Sequence, residues 1–464
     1  VRVTFPRQLG KLDPPAGVRE IVARLEREGF ETWCVGGAVR DALLGHAHLD
    51  WDLATAATPQ QVLRLFKRTV PVGVEFGTVG VFDQANVLHE VTTFRRDVHT
   101  DGRHAVVEFG ASLDDDLARR DFTVNAIAYH PKTEELRDPF DGQLDLQRGL
   151  LRAVGDPDAR MREDRLRALR AIRFAARFVF HIEPDTLKAI VASAPFLGRL
   201  SPERVKQELE KTMLQVERPS VAMEWWRSTG ALEALVPAIG GAPTERFEAL
   251  DHLPRAGIEE KAVRNEAAAT KGAATTQGAA TTRGAMLDRL AMLFFGESAT
   301  AAAEATKALR FSNADIAWIA HLAGARHDLG GAMDDALRKG TPDAKSARRW
   351  VARAGRTRTA AFVALTTALW RARLARAPDA GIASHLEAFG VLANTIAFRD
   401  PIELADLAVD GEDLLAAGIA AGPTLGRVLQ RLLDDVVDEP THNTRDHLLA
   451  VARSLAATTG SGER

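Results

Sequence analysis

The chain has 464 residues, a formal net charge of −3, 46% apolar residues and one cysteine. That length exceeds one ordinary core, so two to four domains are expected, while a lone cysteine excludes an internal disulfide framework and fits a reducing cytoplasm. No apolar run is long enough to cross a bilayer, Val1 to Lys11 lacks the apolar core of a signal peptide, and the near-neutral balance neither supports nor excludes an RNA partner, because such footprints come from local patches like the dense arginines between Arg148 and Arg177.

Residues 30–140 read as mixed helix and strand. Strand-like runs are Thr32–Val35, Asp50–Ala54, Thr78–Phe82, Val87–Thr93 and Phe122–Tyr129. Val39–Leu44 and Pro59–Lys67 read as helices, the second opened by Thr58 as cap and Pro59 as first helical residue. Cys34, inside the first strand, reads as a buried, inert thiol. After about residue 155 the strand signals fade. Asp156-Pro157 opens a helical stretch to Phe180, Ser201-Pro202 opens another through Leu214, and Ala/Leu/Arg-rich segments continue to Ala457. The repeats Gly272–Gln277 and Gly278–Arg283 lack large apolar residues, so the segment around 265–286 reads as a disordered insertion. A frayed tail is expected from Thr458.

Several residues carry chemistry. Gly36-Gly37 lies between a strand and a helix, where the backbone can approach a phosphate and helix N–H groups are free; Arg40 can add a contact. The spacing is not the dinucleotide fingerprint, and a plain tight turn is the bland alternative. Asp50 and Asp52 alternate in a strand-like run, so both carboxylates project to one face, roughly 7 Å apart. Two carboxylates beside a glycine turn are a good seat for Mg²⁺ carrying a nucleoside triphosphate. Glu90 stands in another strand-like run; if that strand neighbours the Asp50 strand, three acids converge, and otherwise Glu90 is an exposed edge residue. Arg119-Arg120-Asp121 precedes Phe122 and could hold triphosphate oxygens, or form a solvated corner. In Glu163–Arg173, read as one helix, Asp164, Arg167, Arg170 and Arg173 form a polar row opposite Leu166, Leu169 and Ile172. A charged solvent face would look the same.

Taken together, Gly36-Gly37-Ala38-Val39-Arg40-Asp41, Asp50-Trp51-Asp52, Glu90-Val91-Thr92-Thr93-Phe94-Arg95, Arg119 to Ala126 and Glu163-Asp164-Arg165-Leu166-Arg167 occur in the order and approximate spacing of the bacterial class II tRNA nucleotidyltransferases. That family includes the CCA-adding enzymes and bacterial poly(A) polymerases. The resemblance covers about residues 30–230 and resumes at Gly411–Arg453, where Gly411-Glu412-Asp413-Leu414-Leu415 and Gly422-Pro423 are similar to the family's C-terminal helical domain.

The resemblance implies an α+β fold: a polymerase-β-like nucleotidyltransferase head over 1–150, then an all-α neck (151–240), body (241–340, with the insertion) and tail (341–464, binding tRNA). It implies Mg²⁺ on Asp50 and Asp52, with Glu90 as third catalytic acid. It implies nucleotide binding by Gly37, Arg40 and Arg120, base reading by Asp164 and Arg167, and a nucleotide site also lined by Arg170 and Arg173. Cytosine and adenine each offer an amine donor beside a ring-nitrogen acceptor, which an aspartate and an arginine can match. Uracil and guanine invert that order and leave charges facing like partners. The implied reaction is CCA addition to tRNA from CTP and ATP by two-metal chemistry, with release of pyrophosphate.

Within the family, Val74-Glu75-Phe76-Gly77-Thr78-Val79 stands where poly(A) polymerases carry a basic run, which is similar to the CCA-adding type. The loop Arg96 to Val107 keeps Asp101-Gly102-Arg103-His104 and is slightly short, so partial CC-adding or A-adding enzymes stay open beside poly(A) polymerase. Leu287–Phe295 lacks the His-Asp pair of members with a phosphohydrolase domain, and none is expected. His46, His48, His99 and His104 lack metal-ligand spacing and read as surface residues. A non-catalytic RNA-binding protein on the same scaffold is the reading from a different class; it predicts loss of acids that are all present here.

Overall fold

Strand β1 (Thr32–Val35) forms where the sequence places it, and a seven-stranded mixed sheet is built outward from it. The computed structural model describes residues 7–46, 50–100, 105–255 and 274–460. Helix α1 (Ala16–Arg27) precedes β1, and α2 (Gly37–Leu43) follows it directly. Next come β2 (Asp52–Thr55), α3 (Pro59–Leu65), β3 (Thr69–Gly73), β4 (Thr78–Phe82) and β5 (Leu88–Thr93). A hairpin, β6 (Arg95–Thr100) and β7 (Ala105–Phe109), leads to α4 (Leu113–Ala118), β8 (Ala128–Tyr129) and β9 (Leu136–Arg137). The sheet order is β3-β4-β5-β2-β1-β8-β9, and β2 with β5 is its parallel pair.

Local chemistry explains the elements. Thr58 caps α3 in a reciprocal box with Gln61, and Pro59 supplies the first helical residue. One face of the sheet buries Trp33, Val35 and Ala54 against Leu113 and Leu117 of α4. Residues of the other face, Cys34, Leu53, Val79, Val81 and Val91, are also buried. Cys34 has no exposure, and burial pushes its thiol well above the ordinary range, so it is inert as expected.

Several expectations need correction. The run Phe122–Tyr129 is not one strand: Thr123–Asn125 forms a 3₁₀ turn, closed by the Asn125 N–H on the Phe122 carbonyl (2.9 Å) and braced by Asp121, which accepts from the Phe122 N–H and the Asn125 side-chain amide, and only Ala128–Tyr129 joins the sheet. The loop Arg96 to Val107 contains the β6–β7 hairpin, its strands joined by the Arg96–Glu108 ion pair; Asp101 to His104 lie outside the described residues. The helix expected from Pro157 to Phe180 is two, α6 (Pro157–Glu163) and α7 (Leu166–Phe178). Asp164 is extended between them and its Oδ1 accepts the Leu166 N–H, an Asx-type turn that restarts the helix.

The neck continues as α8 (Pro184–Ser193) and α9 (Pro202–Gln215), the latter close to the sequence reading. By its internal contacts the chain divides into two units, Val1–Gly240 with Arg255–Met286 and Gly241–Pro254 with Leu287–Arg464. The repeat segment is helical from Ala274, within a helix running to Phe294, and residues 256–273 lie outside the description. The disordered insertion expected here is thus helical over its second part, and Thr and Gly are poor helix formers, so the anchor of this helix is its far end, where it runs into the buried stretch Leu290–Phe295. At the C-terminus, helices Gly411–Ala416, Pro423–Asp438 and Arg445–Gly460 enclose a core of Leu414, Leu432, Val436, Leu448 and Ala452. The expected frayed tail is helical as far as Gly460, and residues beyond it are outside the description.

Candidate active site

The parallel register Leu53↔Val91, Ala54↔Thr92, Thr55↔Thr93 sets Asp52 level with Glu90 on the neighbouring strand. Leu53 and Val91 are buried on one face, so by alternation Asp52 and Glu90 point to the other. Asp52 is half-buried and Glu90 exposed. Asp50 is exposed and stands two positions before Asp52, ahead of the strand rather than in it, while Trp51 between them is buried. The neighbouring-strand condition for convergence of the three acids is therefore met.

The glycine turn adjoins these acids. Asp52 pairs across the ladder with Val35, the residue before Gly36. Gly36 has φ 75°, a left-handed conformation that favours glycine, and caps α2. A side chain there would meet Arg120, whose Nη1 lies 2.7 Å from the Cβ position. Arg120 donates to Asp116 (3.0 Å), and Arg119 donates to the other Asp116 oxygen (2.7 Å). Burial pushes the Asp116 carboxyl up, but Arg120 and then Arg119 outweigh it, and the net is a lowering.

Arg40 is turned inward. It is 4% exposed, donates to Asp41 (2.7 Å) and to the Asn125 side-chain oxygen, and lies over the Phe174 and Phe178 rings. Asn125 donates in turn to Asp121 (2.8 Å), and Arg170 donates to the other Asp121 oxygen (2.9 Å). Burial alone would raise the Asp121 carboxyl; Arg170, Asn125 and Arg167 outweigh it and bring it down to about 2.

The polar row on α7 is only partly a solvent-facing row. Arg167 donates to Glu163 (2.8 Å) and to the Arg119 carbonyl (3.1 Å), which ties α7 to the segment carrying Arg120. Asp164 accepts from Arg204 of α9 (2.7 Å). Arg173 is 3% exposed and bonded to Glu208 (2.7 Å) and Gln215 (3.1 Å), so it faces the neck interior. Burial pushes the Glu208 carboxyl up, yet Arg173 and Arg170 bring it down overall.

The structure thus brings Asp50, Asp52, Glu90, Gly36-Gly37, Arg120, Asp164, Arg167 and Arg170 into one connected region, and sets Arg40 and Arg173 in its buried supports. Sequence reasoning missed Asp116, Arg204 and Glu208. Asp116 is hidden in an acidic run, Asp114 to Asp116, and no spacing marks Arg204 or Glu208 out on their helix. Among the described residues, no helix is long and apolar enough to cross a membrane.

Family models match in the same order as the motifs. The poly(A) polymerase head domain matches residues 32–152, a probable RNA- and SrmB-binding site of polymerase A matches 179–240, and tRNA nucleotidyltransferase domain 2 matches 349–452. The CCA-adding enzyme of Leuconostoc mesenteroides is 47% identical over 196 residues, which is 42% of this chain and 48% of that protein. The CCA-adding enzyme of Limosilactobacillus reuteri is 41% identical over 226 residues, 48% of this chain and 55% of that protein. The chain thus spans about half the length of these curated relatives. The crystal structure of the Bacillus stearothermophilus CCA-adding enzyme in complex with CTP superposes with a TM-score of 0.66 at 27% identity, over 97% of this chain and 100% of that one. The Thermotoga maritima CCA-adding enzyme complexed with tRNA shares the fold at 22% identity, TM-score 0.55, over 94% of each chain.

Proposed function

The chain belongs to the tRNA nucleotidyltransferase and poly(A) polymerase family, and from that premise we propose that it adds CCA to tRNA 3′ ends from CTP and ATP. The observation that carries this reading is the parallel register that sets Asp52 beside Glu90, with Asp50 two residues earlier and the Gly36 turn alongside.

The donor set fits Mg²⁺. It consists of carboxylate oxygens at the solvent-facing end of two adjacent strands, where a hard cation can keep part of its water shell. Asp50 and Asp52 would hold the ion, with Glu90 as the third acid; when bound, it would supply charge neutralisation at the phosphates and a more acidic attacking hydroxyl.

In the reaction, the RNA 3′-oxygen forms a bond to the α-phosphorus, the α–β bridging bond breaks, pyrophosphate departs and the hydroxyl proton passes to solvent. The protein's share is positioning and fixed charge. Gly36-Gly37 gives the triphosphate close access to backbone N–H groups, and Arg120 stands over the turn as its cation. Asp164 and Arg167 read the base edge, held by Arg204 and Glu163. Arg40 acts as a positioning residue through Asn125, and Arg170 holds Asp121. Residues 151–240 serve as the neck, the helical body receives the tRNA acceptor end, and 341–464 serve as a tRNA-binding tail.

Incubation with tRNA lacking CCA, with CTP and ATP supplied separately and together, tests the proposal. CC from CTP alone and full CCA from both nucleotides is the expected result. Long adenylate tails, one partial product only, or no extension would replace it with a poly(A), partial or non-catalytic reading.

A further inference from the structure

We propose that Asp435, His442 and His447 form a binding site for a divalent transition metal, zinc by its ligand chemistry, in the C-terminal helical region. No sequence spacing suggested it, and it is independent of the proposed nucleotide chemistry. His442 Nδ1 lies 3.1 Å from Asp435 Oδ2, and His447 Nε2 lies 3.0 Å from the same oxygen. The ligand atoms of the three residues all fall within 4.8 Å of one another. Tetrahedral zinc, with ligands at about 2.0–2.1 Å, holds donor atoms about 3.3 Å apart, so these separations need only a small expansion.

The donors come from three segments fixed by other contacts. Asp435 is next to buried Val436 on the helix Pro423–Asp438, and His447 is next to buried Leu448 on the helix Arg445–Gly460. His442 ends a 3₁₀ turn closed by its N–H on the Glu439 carbonyl (3.0 Å). The next residue, Asn443, donates to the Asp406 carbonyl (2.9 Å) and accepts the Ala408 N–H (2.8 Å), which pins the turn from the other side. The two imidazoles stack with centroids 4.2 Å apart and 27° between planes. Both rings present nitrogen to one carboxylate, and Asp435, His442 and His447 are about one-third exposed, at 33%, 38% and 36%. Water can therefore complete a four-coordinate shell.

Two imidazoles and one carboxylate favour zinc, cobalt, nickel or copper over Mg²⁺ or Ca²⁺. This site is thus chemically distinct from the all-carboxylate cluster in the head. A bound ion would cross-link the ends of two packed helices and the turn between them, and its binding free energy would add to the stability of that region.

Titration of the metal-free full chain with Co²⁺ tests this. The expected result is the visible absorption of one four-coordinate cobalt per chain, displaced by Zn²⁺. The bands should vanish in His442→Gln and His447→Gln and persist when Asp50 and Asp52 are both replaced by Asn. His442→Cys should retain binding and add a sulfur-to-cobalt charge-transfer band, which separates lost ligation from lost folding. Absence of the bands in the unaltered protein, or their survival in the doubly substituted His442→Gln, His447→Gln chain, would overturn the assignment and leave the histidines as simple hydrogen-bond partners of Asp435.

Discussion

One guanidinium nitrogen of Arg120 lies 2.7 Å from the point where a side chain on Gly36 would begin. The turn beside the acidic cluster and the cation above it are therefore sterically coupled, and a change in one is read by the other. Gly36→Ala must both adopt a left-handed φ of 75° and displace Arg120 from Asp116 and the Asn125 carbonyl. A stability loss of about 1–2 kcal/mol is expected, with several-fold weaker CTP binding. Calorimetric titration with CTP and a thermal melt check it; unchanged binding would separate the turn from the nucleotide.

Asp164 is held by Arg204, so base choice should respond to both. Asp164→Ala is expected to admit UTP and GTP, and Arg204→Ala to shift preference the same way but less. Incorporation of each of the four nucleotides into tRNA lacking CCA measures this. An unchanged preference in Asp164→Ala would remove the residue from discrimination.

Arg173 and Glu208 form an ion pair with side chains 4% and 2% exposed. Removing Arg173 leaves buried Glu208 with only the longer contacts to Lys211 (3.5 Å) and Arg170 (3.9 Å), so Arg173→Met should cost about 2–3 kcal/mol. Replacing both with apolar residues of similar volume should cost much less. Chemical denaturation of the two variants decides; equal losses would mean that packing, not charge, dominates there.

Asp121 titrates near 2 in the folded chain against an ordinary 3.8. A depressed carboxyl contributes stability that is complete above the unfolded value and is lost as pH falls toward the folded one. About 2 kcal/mol should therefore disappear between roughly pH 4 and pH 2. Unfolding free energies across that range should fall less steeply in Asp121→Asn, whose stability is lower throughout. Parallel slopes would contradict the role assigned to Asp121.

The head strands were legible because alternation and glycine punctuation are local signals: β1 and β4 have the bounds that the sequence suggested and β5 nearly so, whereas β2 starts at Asp52 and leaves Asp50 ahead of it. Helix breaks were not, since Asp164 restarts a helix through a side-chain turn inside a continuous helical periodicity. Nor was the inward turn of Arg40 and Arg173: an arginine on a helix reads as exposed unless its partners, here Asn125 and Glu208, are known to arrive from distant positions. The Asp435–His442–His447 cluster was invisible for the same reason, as its geometry depends on the packing of two helices and the turn between them.

The account depends on the carboxylates of β2 and its approach supporting transfer. Single-turnover incorporation of labelled CMP into tRNA lacking CCA, with Mg²⁺ titrated and Asp52→Asn compared with the unaltered chain, tests that most directly. A rate lower by at least about a thousandfold, with tRNA binding intact and no rescue by added Mg²⁺, is predicted. Transfer within a few-fold of the unaltered rate would contradict it.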